Sequence, residues 1–295
     1  MKLPFTLPPV TLGGTIPIWE GSGFRIGGQK TSVLEYSSNL CGWTDELTTL
    51  HEESAGSNHF IDCASRHYVL EQLLKYMKGL SSVVLEVGCS SGFMLRLIRE
   101  YLPDAVVMGS DVICGALKQL ASCMPEVPLF QFDLANCPLP DNCVDVVILL
   151  NVLEHIDDDK AAVQQIYRIL KPGGIAIIEV PAGPHLYDIY DKMLLHRRRY
   201  TLSGLLDLVH KTGFDVLKQS HLGFFVYPGF SMIKRKNKHL SLSDDSAIQE
   251  IVEKDIKNTG DSRLLKFLMQ IELLLGRWIS YPFGIRCLVT CTKAG

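Results

Sequence analysis

The chain has 295 residues and nine cysteines, at 41, 63, 89, 114, 123, 137, 143, 287 and 291, yet it lacks any Cys-x-x-Cys pair. The odd count and the absence of histidines at matching spacing exclude a disulfide framework or a zinc ribbon. His51, His59 and Asp62 fit no common metal spacing either, so no resident metal is expected. Thiols buried in a reducing, cytoplasmic setting are the expectation. Also missing is an apolar run of the roughly twenty residues that cross a bilayer. The nearest, 264–285, is interrupted by Lys266, Gln270, Glu272 and Arg277. The start, Met1-Lys-Leu-Pro-Phe-Thr-Leu-Pro-Pro, has no apolar signal-peptide centre. There is no basic excess, since 29 Lys and Arg stand against 32 Asp and Glu for a net charge of −3. Nucleic acid is therefore not an expected partner. No internal repeat or low-complexity tract occurs.

What is present is a hydrophobic fraction of 47%, enough for a large core. Residues 1–60 are rich in Gly, Pro, Ser and Thr. They read as an irregular extension with short strand-like pieces at Phe24-Arg-Ile and Ser32-Val-Leu-Glu-Tyr, and as a candidate lid. Asp62 is positioned to cap a helix over 63–78, closed by Gly79. From 83 onward strands and helices alternate. Strands are expected at 83–87, 105–110, 128–132, 144–150 and 174–180, with helices around 91–101, 113–122 and 157–170. Such alternation specifies an α/β fold with a parallel sheet covered on both faces. Thr201 caps a helix over 202–211, a strand follows at 214–219, and the last strand is 285–292. Residues 228–280 break the rhythm as a helical insertion and candidate substrate cap, with a helix at 262–275.

The densest chemistry lies in Val83-Val-Leu-Glu-Val-Gly-Cys-Ser-Ser-Gly92. An apolar strand ends near an acid, Glu86, and a glycine turn leads into an apolar helix. Glycines let backbone approach a ligand, and a helix start presents free N–H groups. An acid at this point suits an ammonium or a ribose hydroxyl, which suggests a nucleoside with an amino-acid tail. Later strand tips carry Asp111, Asp133 and Asn151, where open α/β sheets bind ligands.

These stretches, Leu85-Glu-Val-Gly-Cys-Ser-Ser-Gly92, Gly109-Ser-Asp111, Phe132-Asp-Leu134, Asn151-Val-Leu-Glu-His155 and Leu170-Lys-Pro-Gly-Gly174, resemble the class I S-adenosylmethionine-dependent methyltransferases of the broad small-molecule type. His196-Arg-Arg-Arg-Tyr-Thr201 followed by Gly213-Phe214 adds to the resemblance, which covers about 65–220 and the last strand. It implies a Rossmann-like, doubly wound seven-stranded sheet of order 3-2-1-4-5-7-6 with the last strand antiparallel. The methyltransferase core would then comprise 61–227 and 281–295. S-adenosyl-L-methionine is the implied cofactor. Glu86, Gly88, Cys89, Ser90 and Gly92 would hold its methionine end, Asp111 the ribose, Asp133 and Leu134 the adenine, and Asn151 the floor near the sulfonium, with Val112 a further cofactor-binding residue. The family pattern has glycine where Ser90 stands.

Methyl transfer asks for alignment and, for an oxygen or nitrogen acceptor, a base. His155 and His196 are the candidate bases. Glu154 diverges from His155 by about 100° on a helical turn, which argues against both facing the cleft. Candidates on the substrate side are His59, Arg66, Arg197, Arg198, Arg199 and Tyr200, the arginines as a clamp for a carboxylate or phosphate. Phe224-Phe-Val-Tyr227 with Lys234-Arg-Lys-Asn-Lys238 leaves room for peripheral membrane contact through 224–238, and for a lipid- or glycan-linked acceptor. A homodimer packed through the insertion is equally compatible. Two other readings stay open. One is a non-catalytic scaffold that binds the cofactor. The other is a nicotinamide-dependent oxidoreductase, which calls for Gly-x-Gly-x-x-Gly where this chain has Gly88-Cys-Ser-Ser-Gly92.

Overall fold

A computed structural model describes residues 2–11, 14–37, 59–79, 81–238 and 262–295. The expected lid segment around Trp43 and His51, and residues 239–261 of the insertion, lie outside the described residues.

The central layer is a sheet of eight strands. Its middle comprises β5 (Val83–Val87), β6 (Val106–Asp111), β7 (Leu129–Gln131) and β8 (Val144–Leu150), all parallel. Parallel strands need both faces covered, and β5 is buried along its whole length, as its unbroken apolar run with one acid requires. On the other side of β8 lie β9 (Leu170–Pro181) in parallel, then β11 (Arg286–Lys293) antiparallel, with β10 (Phe214–Leu222) at the edge. The seven strands follow the order that the resemblance implies, with β11 antiparallel to both neighbours.

The strand-like piece expected at Ser32-Val-Leu-Glu-Tyr36 forms an eighth strand, and its pairing with the main sheet is what the sequence does not specify. β4 (Val33–Glu35), from the N-terminal extension, pairs in parallel with β7 through Val33–Leu129 and Leu34–Phe130. Leu34 and Phe130 are fully buried, so the apolar Val33-Leu34 pair seals an edge that would otherwise be exposed. Just before it, β1 (Ile18–Trp19), β2 (Phe24–Ile26) and β3 (Gln29–Thr31) make a small antiparallel sheet. Its Trp19 and Phe24 rings pack in series onto Phe130. Among the described residues, 18–35 of the extension thus pack onto the core as short strands.

Helices cover both faces. One face receives α4 (Asp159–Ile169) and α6 (Leu202–Thr212), through Val163, Ile166, Leu205 and Val209. The other receives α1 (Phe60–Tyr76), α2 (Phe93–Tyr101), α3 (Cys114–Cys123) and α8 (Arg263–Gly276), through Leu73, Leu95, Ile98, Leu117 and Met269. The caps are local. Asp158 accepts from Ala161 N at 2.9 Å, Thr201 from Gly204 N at 3.0 Å and Ser262 from Leu265 N at 3.3 Å. Asp62 does not cap α1. The helix begins two residues earlier, and Asp62 instead accepts from Arg286 Nη2 at 2.5 Å, a β11 partner that only the folded chain brings near. Strand β9 starts at Leu170, before the expected 174, because Leu170 already pairs with Val144.

Candidate active site

The sheet's strand order reverses at β5, whose neighbours are β6 and β8. Chains leaving β5 and β8 part there, and a cavity of about 1160 Å³ opens at the carboxyl ends of the strands.

The loop after β5 forms one wall. Gly88 has φ +74, and a Cβ there would meet Val152 Cγ2 at 2.6 Å. Ser90 adopts φ 43 where the family pattern has glycine, so it takes up a left-handed strain that glycine would avoid. Ser90 N donates to Asp111 Oδ2 at 3.0 Å, and Ile113 N donates to Asp111 Oδ1 at 3.1 Å. Asp111 therefore ties the β5 loop to the end of β6 before any ligand arrives. Gly92 starts α2 with φ +76 against Leu120 and does not line the cavity, so its part is to turn the backbone.

Glu86, Gly88, Cys89, Ser90, Asp111, Val112, Asp133, Leu134 and Asn151 all line this one cavity. Glu86 is buried and its Oε2 has no hydrogen-bond partner. Burial first, and then the charge of Asp111, push its carboxyl well above the usual range. A cationic group entering the cavity would satisfy that oxygen. Asp133 caps the 3-10 turn Leu134–Asn136, accepting from Ala135 N at 3.0 Å and Asn136 Nδ2 at 2.9 Å. Asn151 sits at φ 54, one of the few residue types that tolerate this region, and its Nδ2 donates to Glu179 Oε1 at 3.2 Å. Glu179, wholly buried on β9, also accepts from Arg286 Nη1 at 2.6 Å, and that guanidinium donates to Ser65 Oγ at 2.7 Å.

Further lining comes from the turn after β8 and from the chain after β9. His155 closes the 3-10 turn Leu153–His155, and its ring meets that of His196 at 4.8 Å, edge to face. Asp191, on the short helix α5 (Ile189–Met193), accepts from His196 Nδ1 at 2.8 Å and from Arg199 Nε at 2.8 Å. Burial opposes the charge on Asp191, but the His196 hydrogen bond, Lys234 and Arg199 outweigh it and hold its carboxyl below the usual range. Burial lowers the proton affinity of His196, with Asp191 partly opposing. Glu154 lies beneath this pair, wholly buried and off the cavity wall, and burial pushes its carboxyl up to about 8. Its carboxylate nonetheless comes within 4.8 Å of a ring nitrogen of both His155 and His196, so the divergence expected on a helical turn does not keep it from that pair.

The substrate-side candidates divide. His59, Arg66, Arg197 and Arg199 line the cavity, with Arg66 stacked 5.4 Å from the Phe93 ring. Arg198 and Tyr200 do not line it. Arg198 pairs with Asp159 at 2.8 Å, and the Tyr200 hydroxyl donates to Asp159 Oδ2 at 2.7 Å. The three arginines are no joint clamp, because successive residues of an extended segment point apart, and Arg198 faces away from the cavity that Arg197 and Arg199 line. Lys234 is a second correction. It is no part of an exposed basic cluster: on α7 (Tyr227–Lys238) it is buried and donates to Asp188 Oδ1 at 2.5 Å, while Arg235 and Lys236 remain exposed.

Sequence reasoning missed Asp191, Glu179, Arg286 and the apolar wall of Phe225, Phe230, Ile233, Leu265 and Leu268. Asp191 carried a signal, since Asp188-x-x-Asp191 has capping-box spacing and both reciprocal bonds form. Glu179 and Arg286 carried none, because only antiparallel pairing of β9 with β11 sets them together.

Comparison with known proteins agrees with this geometry. Residues 85–178 match the methyltransferase domain family model. The chain is 30% identical over 174 residues to a probable S-adenosylmethionine-dependent methyltransferase of Mycolicibacterium smegmatis, covering 58% of this chain and 66% of that protein. It is 27% identical over 161 residues to demethylmenaquinone methyltransferase of Staphylococcus aureus, covering 51% of this chain and 64% of that one. The chain thus spans just under two thirds of these curated relatives. Among solved structures, phosphoethanolamine N-methyltransferase 2 of Haemonchus contortus with S-adenosyl-L-methionine superposes with TM-score 0.55 at 17% identity, over 85% of this chain and 58% of that one. The [4+2]-cyclase SpnF superposes with TM-score 0.55 at 18% identity, over 84% of this chain and 92% of that one. The chain carries a class I S-adenosylmethionine-dependent methyltransferase domain. The cofactor of that family is S-adenosyl-L-methionine, and an orphaned buried acid beside a glycine turn suits its ammonium end.

Proposed function

We propose that this protein transfers a methyl group to a small acceptor with a substantial apolar part, drawn from a membrane surface. The observation that carries the reading is the mixed lining of this cavity. Its lining combines the candidate cofactor residues from Glu86 to Asn151 with the apolar side chains of Phe225, Phe230, Ile233, Leu265 and Leu268. Ligand pockets commonly span about 300–1,000 Å³, so about 1160 Å³ leaves space beyond a cofactor.

When bound, S-adenosyl-L-methionine supplies a methyl carbon already activated by the sulfonium. The chain's own residues bind and orient. Glu86 is assigned the ammonium, the Gly88–Gly92 turn the methionine carboxylate, Asp111 and Val112 the ribose, and Asp133 with Leu134 the adenine. Asn151 sets the floor between cofactor and acceptor. His155 and His196, with His196 oriented by Asp191, offer lone pairs to the acceptor, for a proton or for a cation. The apolar wall excludes water from the acceptor's path.

The membrane part of the reading rests on α7 and α8. Met232, Leu264, Phe267 and Trp278 are more than half exposed. Arg235, Lys236 and Arg263 are exposed beside them. The only acid on either helix is Glu272, and it is buried. An apolar face with a basic fringe suits an anionic lipid surface. The same helices wall the acceptor end, which gives a lipid-like molecule a short route in. Among the described residues no helix is long and apolar enough to cross a membrane. A cytoplasmic, membrane-peripheral location follows from this reading.

Isothermal titration with S-adenosylhomocysteine should give one site per chain, and no binding would end the proposal. Vesicles with 30% phosphatidylserine should shift Trp278 emission to the blue, and Trp278→Phe should abolish the shift. Labelled methyl should then enter the lipid fraction of an extract.

A further inference from the structure

Glu154, His155 and His196 each offer a ligand atom, and these atoms lie within 4.8 Å of one another. Glu154 is wholly buried and neither of its oxygens has a hydrogen-bond partner. A buried carboxylate without a donor is costly, and it calls for a proton or a cation. His196 adds an independent observation. Its Nδ1 is engaged by Asp191 Oδ1 at 2.8 Å, which leaves Nε2 as the free ring position. A carboxylate behind an imidazole is the arrangement that fixes the tautomer of metal-bound histidine. Both histidines line the cavity, and Glu154 lies behind them.

We propose that Glu154, His155 and His196 bind a divalent first-row transition ion, such as zinc, manganese or cobalt, with an open coordination position facing the acceptor. Two imidazoles and one carboxylate form the donor set such ions accept, and three protein ligands with an open position mark catalytic sites. Ligand atoms around a tetrahedral ion lie about 3.4 Å apart, so the three side chains draw together on binding. The open position takes the acceptor's hydroxyl oxygen. There the ion's charge weakens the O–H bond, and the proton leaves to water at the cavity mouth. The acceptor atom is therefore oxygen. This inference rests on the methyltransferase reading and deepens it. It also departs from the spacing argument, which predicts no metal, because His196 is brought to Glu154 and His155 only by folding.

The test uses the full chain without an affinity tag, stripped with a chelator and titrated with cobalt(II) chloride. One equivalent should bind and produce visible d–d absorption. Glu154→Gln should weaken binding at least tenfold. Asp191→Asn, which changes the group behind His196 while also touching Arg199 and Lys234, should weaken it by about ten- to a hundredfold. If Glu154→Gln fails to fold, His155→Gln serves instead. Absent or substoichiometric cobalt binding, or binding that Glu154→Gln and His155→Gln leave unchanged, overturns the proposal. Binding of S-adenosylhomocysteine is read on the same samples. Its retention without cobalt binding removes the metal alone, and its absence removes the methyltransferase reading instead.

Discussion

Asp188 and Lys234 stand 46 positions apart in the chain and 2.5 Å apart in the fold. Their ion pair fastens α7 to the turn that carries Asp191 and His196. Asp191 joins the same network, with Lys234 Nζ 3.3 Å from its Oδ2. The Lys234 ammonium also lies 5.5 Å from the Phe230 ring, so one buried cation links the acceptor wall to the His196 support.

Removing that cation leaves two buried carboxylates short of a partner. Lys234→Met should cost about 3–5 kcal/mol in urea denaturation. Arg235→Ala and Lys236→Ala should stay within about 0.5 kcal/mol, because both side chains are exposed. Equal losses at all three positions would contradict the burial of Lys234.

Glu86 gives the pH dependence of cofactor binding. Burial and the neighbouring Asp111 raise its proton affinity in the empty cavity. An ammonium ligand favours the charged form and lowers it again, so binding releases a proton wherever free Glu86 is protonated. Affinity for S-adenosylhomocysteine should therefore rise with pH across the range between the two values. Titrations in buffers of different ionisation enthalpy would count the proton released. Glu86→Gln should weaken binding and flatten the pH dependence.

Asn151 holds a left-handed backbone and a bond to Glu179. Asn151→Ala keeps the strain and loses the bond, and should destabilise by about 1–3 kcal/mol. Asn151→Gly relieves the strain and should lose less. Thermal melts of the three proteins test the order. Ala above Gly would show that the backbone strain is unimportant.

Glu272 anchors α8. It accepts from the N–H groups of Gly223, Phe224 and Phe225 at 2.6, 3.0 and 3.1 Å. Glu272→Ala orphans three donors and should cost about 3–5 kcal/mol, whereas Glu272→Gln keeps one oxygen acceptor and should cost less. Hydrogen exchange at those three amides should accelerate most in the alanine variant.

Much of the cofactor end was legible because its determinants are local. Glu86, Gly88, Asp111, Asp133 and Asn151 each sit at the end of an apolar strand, and strand period with turn chemistry fixes where a strand ends. The acceptor end was not. Arg197, Arg198 and Arg199 look alike in sequence, yet Arg198 turns to Asp159 and Arg199 to Asp191. The Lys234–Lys238 run reads as a solvated patch, but helix periodicity turns Lys234 inward to Asp188.

Sequence by itself determined the alternation of strands and helices and, through its motifs, the resemblance that implies the strand order and the candidate cofactor residues. The alternation follows from periodicity, caps and glycine turns, which act over a few residues, whereas the strand order rests on the resemblance. Tertiary structure alone decided that β4 seals the sheet edge, that Arg286 reaches Asp62 and Glu179, and that Glu154, His155 and His196 meet. Those contacts join segments far apart in the chain. They form because burying the apolar faces of the sheet fixes which polar side chains must find one another inside.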